Sequence, residues 1–289
     1  MSHVITVQPR PISSRSGQFV VHQVPAARDN LVWLIEYSLG KCAVVDGPSA
    51  KEALAYCSAN GLTITTILNT HTHPDHIGIN YDIGLNDDCP PVRVFGAAQR
   101  RKDIPFLTDP LRDGDAVYLG DVAGVCWLTE GHINGHLCYL FEDFLFSGDT
   151  LFAGGCGYLF DGPPKKMHVS LQRLAELPPE TKVCCAHEYT QDNLRFAYSI
   201  EPNNPHLVER MKRVWQKRRG GESSLPSSIE EELNSNPFLR GHSEEIRDSL
   251  RPHYSNVDTV SPAKVFAYTR WHKDSKLYRK KSEPFFLRD

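Results

Sequence analysis

The feature that most constrains this chain is a cluster of histidines and an aspartate directly after a short, largely apolar run. The run is residues 64–68, and residues 70–76 read Thr-His-Thr-His-Pro-Asp-His. Imidazole and carboxylate together suit zinc, iron or manganese, and polar groups at this density need a shared partner. A strand would place His71, His73 and Asp75 on one side, because strand side chains alternate with period two. A turn after the strand would let Asp75 and His76 face a second metal ion.

The composition favours a soluble globular protein and gives no sign of nucleic-acid or membrane binding. Hydrophobic residues make up 40% and charged residues 23% of 289 residues, and the formal net charge is −3. No apolar run is long enough to span a bilayer, and residues 1–18 lack the apolar segment of a secretory signal. The basic run at residues 212–219 is interpreted as the solvated face of a helix.

The eight cysteines form no C-x-x-C pair, so a zinc site made of thiolates is not expected. Several lie in apolar runs such as residues 183–186, where a free cysteine behaves as a small buried hydrophobe. The simplest account is a reducing compartment, which predicts a cytoplasmic protein, and a disulfide framework is the alternative.

The first two thirds of the chain are typical of short strands with few helices, and the last third is typical of helices. Strands are predicted at residues 19–24, 31–37, 42–46, 64–68, 92–95, 125–128, 137–141, 144–146 and 182–186. Helices are predicted at residues 49–60, 163–177, 193–200, 205–219, 228–233 and 262–272. This pattern predicts an α+β protein with mixed sheets covered by helices. We expect a flexible extension at residues 1–18, a first domain at 19–188 and a smaller helical domain at 189–289.

Three further candidate ligands each follow a predicted strand. They are His132 in Gly-His-Ile-Asn-Gly-His, Asp149 in Phe-Ser-Gly-Asp-Thr and His187 in Ala-His-Glu-Tyr. Loops that leave the ends of strands can converge on one place, so these residues are expected to join the first cluster. His136 is interpreted as structural, with support of a ligand as the alternative.

Together these residues resemble the metallo-β-lactamase superfamily, whose pattern is T-H-x-H-x-D-H followed by separated His, Asp and His. The resemblance implies an αββα sandwich at residues 19–188 as the catalytic domain, with two divalent metal ions at one edge. Zinc is the first expectation, and iron or manganese are the alternatives. A hydroxide between the metals is the implied nucleophile, with Asp75 and Asp149 as catalytic residues. The implied ligands are His71, His73 and His132 for one metal, Asp75, His76 and His187 for the other, and Asp149 for both.

Other segments resemble glyoxalase II, the hydroxyacylglutathione hydrolase family. They are Leu-Phe-Ala-Gly-Gly-Cys-Gly at 151–157, Ala-His-Glu-Tyr-Thr at 186–190, Asn-Pro-Phe-Leu-Arg at 236–240 and Arg-Trp-His-Lys-Asp at 270–274. The resemblance implies hydrolysis of S-(2-hydroxyacyl)glutathione, chiefly S-D-lactoylglutathione, in methylglyoxal detoxification, and we expect a monomer. Residues 189–289 would bind glutathione, with Tyr189, Arg270 and Lys273 on its glycine carboxylate. An exposed helix face is the alternative for Arg270 and Lys273.

One departure from the family lies after Gly-Cys-Gly. Family members often carry a basic residue where Tyr158 stands, and some carry a tyrosine where Phe160 stands. Both positions are still expected to contact the substrate, although a cation and a hydroxyl are missing. Lys165 or Lys166 could compensate for the lost cation.

Other functions remain as alternatives. The main rival is an iron-dependent persulfide dioxygenase with His71, His132 and Asp149 as a facial triad, but such enzymes generally lack a segment like 236–240. A metal-dependent nuclease would need a basic groove, which the sequence does not indicate. A non-catalytic metal-binding protein would be expected to have lost one of the ligands.

Overall fold

The core of the described structure is two β-sheets packed face to face. The computed structural model describes residues 4–87, 89–281 and 284–287. Within these ranges the first sheet contains β1 to β7 in chain order: Ile12–Ser13, Val20–Ala26, Asn30–Ser38, Lys41–Val45, Thr63–Leu68, Arg93–Ala97 and Asp109–Leu111. Strands β1 to β4 pair antiparallel, and β4 to β7 pair parallel.

The second sheet is formed by strands from later in the chain. Strands β8 to β15 are Ala116–Leu119, Val122–Leu128, Leu137–Phe141, Phe144–Gly148, Leu151–Phe152, Gly155–Cys156, Lys182–Cys185 and Ser227–Ser228. The sheet order is β15-β14-β11-β10-β9-β8, while β12 and β13 form a separate hairpin. Strands β8 to β11 are antiparallel, and β14 runs parallel to β11.

Helices cover both outer faces of the sheets. Helices α1 to α8 are Lys51–Asn60, Pro74–Gly84, Pro164–Ala175, Thr190–Ile200, Pro205–Arg219, Ile229–Ser235, Glu244–Leu250 and Pro262–Asp274. Short 3-10 turns lie at Ala98–Arg100, Leu277–Lys280 and Phe285–Leu287.

Period-two alternation along the strands produces the layers. In β4, Ala43 and Val45 point into the core between the sheets, whereas Cys42 and Val44 pack on the outer face with α1 and α2. Leu145 of β11 packs on the other outer face, with apolar residues of α3 and α8. The predicted α+β class and the αββα sandwich are therefore confirmed, with helices of the last third packed beside the second sheet.

The strand predicted at residues 64–68 is present as β5, but it does not continue through the histidine cluster, so His71, His73 and Asp75 do not share a strand face. Strand β5 ends at Leu68, and Pro74 opens α2 with His73 as the N-cap residue. Proline suits the first helical position because its φ is preset and the N–H it lacks would have no partner in the helix. Asp75 and His76 consequently lie on the first turn of a helix.

Residues 4–18, expected to be a flexible extension, instead lie against the rest of the chain. Strand β1 pairs with β2, and the Thr6 and Val7 amides donate to the Gly221 carbonyl at 2.9 and 3.1 Å. The Arg15 amide donates to Oδ1 of Asp143 at 3.1 Å. Backbone pairing needs no apolar side chains, so the polar composition gave no sign of it. Residues 1–3 of the expected extension lie outside the described residues.

The last third of the chain is mostly helical, as predicted, but its Ser-Ser strand β15 joins the second sheet beside β14. The sequence interpretation missed β15, α7 and the strands β7 and β8, which are too short to show a period. Residues 282–283 and 288–289 of the predicted helical domain lie outside the described residues. Among the described helices, none combines the length and the apolar character that crossing a membrane would require.

Candidate active site

The candidate site lies at the edge of the sandwich where several strands end. Strands β4 and β5 are parallel, as are β11 and β14, so the carboxyl ends of each pair lie together. The segments after β4, β5, β9, β11 and β14 carry Asp46, His71, His132, Asp149 and His187. Polar residues that lie far apart in the sequence therefore meet at one edge.

The first group of candidate ligands consists of His71, His73 and His132. Nε2 of His71 lies 2.9 Å, and Nε2 of His132 lies 3.0 Å, from Nδ1 of His73. His71 and His132 are buried, while His73 is half-buried. Three converging imidazole nitrogens could hold one metal ion, and zinc accepts such a set.

The second group consists of Asp75, His76 and His187, which could hold another metal ion. Oδ2 of Asp75 lies 3.6 Å from Nε2 of His76 and 3.4 Å from Nε2 of His187. Nδ2 of Asn30 donates to the same carboxylate oxygen at 3.1 Å, which fixes its direction.

Asp149 lies between the two groups. Its Oδ2 is 3.5 Å from Nε2 of His132, and its Oδ1 is 3.6 and 3.5 Å from Nε2 of His76 and of His187. Among the described residues, Nε2 of His76 and Oδ1 of Asp149 are buried without a hydrogen-bond partner. Buried polar atoms are seldom left unpaired, so these atoms fit cations held between the two groups. The residues present thus fit a pair of divalent metal ions.

Asp46 sets the orientation of two of these histidines. Its Oδ2 accepts hydrogen bonds from Nδ1 of His76 at 2.9 Å and from Oγ1 of Thr70 at 2.6 Å. Because the Thr70 hydroxyl donates to Asp46, it accepts from Nδ1 of His71 at 3.0 Å. With Nδ1 held in this way, Nε2 of each imidazole is directed at the site and is the nitrogen that a metal ion would bind in place of a proton.

The same arrangement holds His132 and His187. Nδ1 of His132 donates to the Tyr158 carbonyl at 2.7 Å, and Nδ1 of His187 donates to Oδ1 of Asp29 at 2.9 Å. The sequence interpretation missed Asp29, Asn30 and Asp46. Asp46 follows a strand as the other ligands do, which is a signal that could have found it.

Carboxylates make this buried site favourable for positive charge. Burial opposes protonation of His76, but Asp149 and Asp46 raise its pKa to about 9. Burial and neighbouring imidazoles lower the pKa of His71 well below its usual value. The first group thus offers neutral imidazoles, and the second lies in a field that cations would neutralise.

His136 supports the site from behind. Its Nε2 accepts a hydrogen bond from the Asp149 amide at 3.0 Å, and its ring stacks on His71 with centroids 4.8 Å apart. Gly148 has φ of 48°, and a Cβ there would lie 2.5 Å from Oγ1 of Thr70 and 2.8 Å from Nε2 of His136. Glycine is therefore required before Asp149, since any larger residue would push the carboxylate out of place.

A cavity of about 580 Å³ beside the site is lined by Arg270 and Lys273 of α8. These side chains are only 5% and 8% exposed, so the alternative of an exposed helix face is wrong. Nη1 of Arg270 donates to the Cys156 carbonyl at 3.2 Å, while its Nε has no hydrogen-bond partner among the described residues. Lys273 donates to Oδ1 of Asn193. Burial and the neighbouring Arg270 charge lower the pKa of Lys273 to about 7.

The three aromatic residues predicted at the substrate site are placed differently. Tyr158 and Tyr189 line the cavity, and the Tyr189 ring stacks on His187 at 4.8 Å between centroids. Phe160 is not among the described residues that line the cavity. Its ring instead lies edge-on to His132, with centroids 5.2 Å apart.

The expected compensation by Lys165 or Lys166 is not seen, because neither is among the described lining residues of the cavity. Nζ of Lys166 donates to Oε2 of Glu130 at 3.1 Å instead. Lys276 and Arg279 line the cavity in addition to the α8 pair, and the sequence interpretation missed both.

Comparison with known proteins agrees with this geometry. The family model described as the metallo-beta-lactamase superfamily matches residues 26–187. Two solved structures share the fold. One is the BLEG-1 B3 metallo-beta-lactamase, with TM-score 0.56 and 21% identity, and the match covers 76% of this chain and 99% of that chain. The other is ETHE1 from Myxococcus xanthus, with TM-score 0.55 and 22% identity, covering 91% of this chain and 100% of its own. Fold and site together define a member of the metallo-β-lactamase superfamily.

A second family model, described as the hydroxyacylglutathione hydrolase C-terminus, matches residues 188–276. The hydroxyacylglutathione hydrolase of Methylococcus capsulatus is 45% identical over 255 residues, which cover 87% of this chain and 96% of that protein. The enzyme of the same name from Gloeobacter violaceus is 40% identical over 258 residues, covering 88% of this chain and 99% of that protein. The chain therefore belongs to the hydroxyacylglutathione hydrolase family.

Proposed function

We propose that this protein hydrolyses S-(2-hydroxyacyl)glutathione, chiefly S-D-lactoylglutathione, to a 2-hydroxy acid and glutathione, in methylglyoxal detoxification. The observation that carries the proposal is the position of Asp149, whose two oxygens face two separate ligand groups, beside a cavity with buried cations. Relatives named for this activity cover most of the chain.

The proposed metal ligands are the residues of the two groups and the shared carboxylate. When bound, two divalent cations lower the pKa of a water molecule and polarise a carbonyl oxygen. Zinc is our first choice, because it accepts nitrogen and carboxylate ligands at a site with an open position, and iron or manganese suit the same donors. The ligands are His71, His73 and His132 in one group, Asp75, His76 and His187 in the other, and Asp149 between them.

The protein's own residues position the reactants. Asp149 carries negative charge to both groups and is held in place by the His136 contact to its amide. The Asp75 side chain is 43% exposed, so it can accept a hydrogen bond from a water molecule at the mouth of the site. Thiolate is a good leaving group, so no side chain needs to supply a proton to it.

Glutathione recognition is assigned to the cavity. Glutathione carries two carboxylates and one ammonium group at neutral pH. Arg270 supplies a buried guanidinium at the cavity wall; its Nη2 pairs with Asp274 and its Nη1 donates to the Cys156 carbonyl, so a substrate carboxylate would share this cation with Asp274. Lys273 adds a second cation one helical turn away, and Tyr189 connects the cavity with the second ligand group through its stack on His187.

We also propose a monomer in the cytoplasm. All eight cysteines are free thiols in the structure, as expected in a reducing compartment. Both ligand groups and the cavity come from one chain, so no second copy is needed to complete the site.

The decisive experiment follows thioester loss when metal-loaded protein is mixed with S-D-lactoylglutathione. A thioester of the same acid with N-acetylcysteamine, which has neither carboxylate, is the matched substrate and should show a much higher KM. Oxygen uptake with glutathione persulfide is measured in parallel. Persulfide-dependent oxygen uptake without thioester loss would reject the hydrolase and favour the dioxygenase.

A further inference from the structure

Two large aromatic side chains beside the site are unusually exposed. Tyr158 is 53% and Phe160 is 61% exposed, and their rings meet edge to face with centroids 4.9 Å apart. Neighbouring exposed aromatic rings form an apolar surface, and such surfaces commonly mark binding sites because covering them removes apolar area from water.

This aromatic pair lies against the first ligand group. The Phe160 ring is edge-on to His73 at 5.1 Å and to His132 at 5.2 Å between centroids. His73 and His132 supply two of the three converging nitrogens of that group. The pair therefore borders the place where a thioester carbonyl must react.

The backbone holds the pair rigidly. The Phe160 amide donates to the His132 carbonyl at 2.9 Å, and Nδ1 of His132 donates to the Tyr158 carbonyl at 2.7 Å. A Cβ at Gly157 would lie 2.0 Å from the Asp149 carbonyl oxygen, so only glycine permits this close approach of the loop. A surface held in advance loses little conformational freedom when a ligand covers it.

The charged side chains that could bind glutathione line the cavity and are separate from the Phe160 ring. Four cations and two carboxylates line the cavity together with Tyr158: Arg270, Lys273, Lys276, Arg279, Asp192 and Asp274. Tyr158 thus connects the cationic cavity with Phe160. A glutathione peptide with its carboxylates in the cavity would place the uncharged acyl group at the first ligand group, beside the Phe160 ring.

We propose that Tyr158 and Phe160 form the acyl-binding surface and raise the efficiency of this protein toward glutathione thioesters with an aromatic 2-hydroxyacyl group. The inference rests on the proposed function, since it names the substrate class of the same site. A phenyl substituent can pack on the Phe160 ring in the edge-to-face or offset geometry that aromatic pairs favour, whereas a lactoyl methyl group covers little of it.

The test compares kcat/KM for the glutathione thioesters of D-lactic acid and of 2-hydroxy-2-phenylacetic acid. Because the acids differ in intrinsic reactivity, the quantity compared between variants is the ratio of the two kcat/KM values. Phe160→Ala should lower the phenyl-to-methyl ratio about tenfold, the lower end of the discrimination that an apolar contact provides. Phe160→Tyr, which keeps the ring, should preserve the ratio.

Tyr118→Ala is the matched control, since this tyrosine on β8 is 58% exposed and belongs to neither ligand group nor to the described lining of the cavity. Binding of the stable thioethers S-benzylglutathione and S-methylglutathione, followed by calorimetry, gives a second readout that needs no turnover. The preference for the benzyl compound should fall about tenfold in Phe160→Ala.

The two proposals fail differently. If neither thioester is hydrolysed, the hydrolase function is rejected, while the thioether preference still tests the aromatic surface. If both are hydrolysed and neither Phe160→Ala nor Tyr158→Ala changes the two ratios by more than twofold, the aromatic surface is rejected and the hydrolase function stands.

Discussion

Buried Glu232 pairs with Arg210 and also holds the Gly154 loop beside the cavity to the helical last third of the chain, and Glu232→Gln tests its importance. Oε1 of Glu232 accepts from Nη2 of Arg210 at 2.5 Å and from Oγ of Ser227 at 2.7 Å. Its Oε2 accepts from the Gly154 amide at 2.8 Å and from Nδ2 of Asn236 at 2.9 Å. Glu232 is fully buried and Arg210 is 3% exposed, so water cannot replace these bonds.

The expected cost follows from counting acceptors. A glutamine side chain has a single carbonyl oxygen with two lone pairs. The four donors that the two carboxylate oxygens of Glu232 accept would therefore compete for that one oxygen. The Arg210 charge also loses its buried counter-charge, and breaking a buried pair in this way costs about 3–5 kcal/mol of unfolding free energy. The matched control is Glu231→Gln, because Glu231 pairs with Arg213 at 2.8 Å with side chains 36% and 50% exposed, and its carboxylate reaches Arg210 only at 4.0 Å. That change should cost about 0–1 kcal/mol.

Urea unfolding of the wild type and both variants, at equal metal content, measures the difference. With an m value of roughly 3 kcal/mol per molar, Glu232→Gln should lower the midpoint by about 1 M or more, and Glu231→Gln by a few tenths at most. KM for the glutathione thioester should also rise in Glu232→Gln, because the Gly154 loop loses its anchor. Equal midpoints for the two variants would refute the reasoning.

Three other predictions concern the site itself. Asp149→Asn should reduce the bound metal, measured by elemental analysis, and lower kcat about a hundredfold or more, because one carboxylate faces both ligand groups. Full metal content at an unchanged rate would contradict the bridging role. Asp29→Ala should weaken metal affinity about 10–100-fold in chelator competition, because His187 loses the acceptor that orients it; unaltered affinity would show that the hydrogen bond is dispensable. Lys273 is charged below its pKa of about 7 and neutral above it, so KM should be flat at low pH and rise above about pH 7, by up to about tenfold per pH unit. Lys273→Arg keeps its charge and should abolish this rise, whereas the same pH profile in both proteins would exclude Lys273 as its origin.

Much of the fold was predictable because its signals are local. The apolar strands around residues 31–37, 42–46 and 137–141 were expected from composition and lie in the sheets as β3, β4 and β10. Helix α2 was missed because the polar cluster obscured its beginning, although Pro74 after a potential N-cap residue is a helix-start signal. Strand β15 has no apolar residue at all and forms only because β14 offers its edge.

The sequence by itself determined which side chains could bind metal, because ligand chemistry is a property of residue type and each candidate follows a strand or its loop. It did not determine how those side chains are held. Asp29 and His187 are 158 positions apart, and no local pattern links them. Only the tertiary structure, by bringing strand ends to one edge, pairs each imidazole with its acceptor and so fixes which nitrogen faces the site. It also decided that Arg270 and Lys273 are buried cations, since burial depends on what packs against α8 and not on the helix itself.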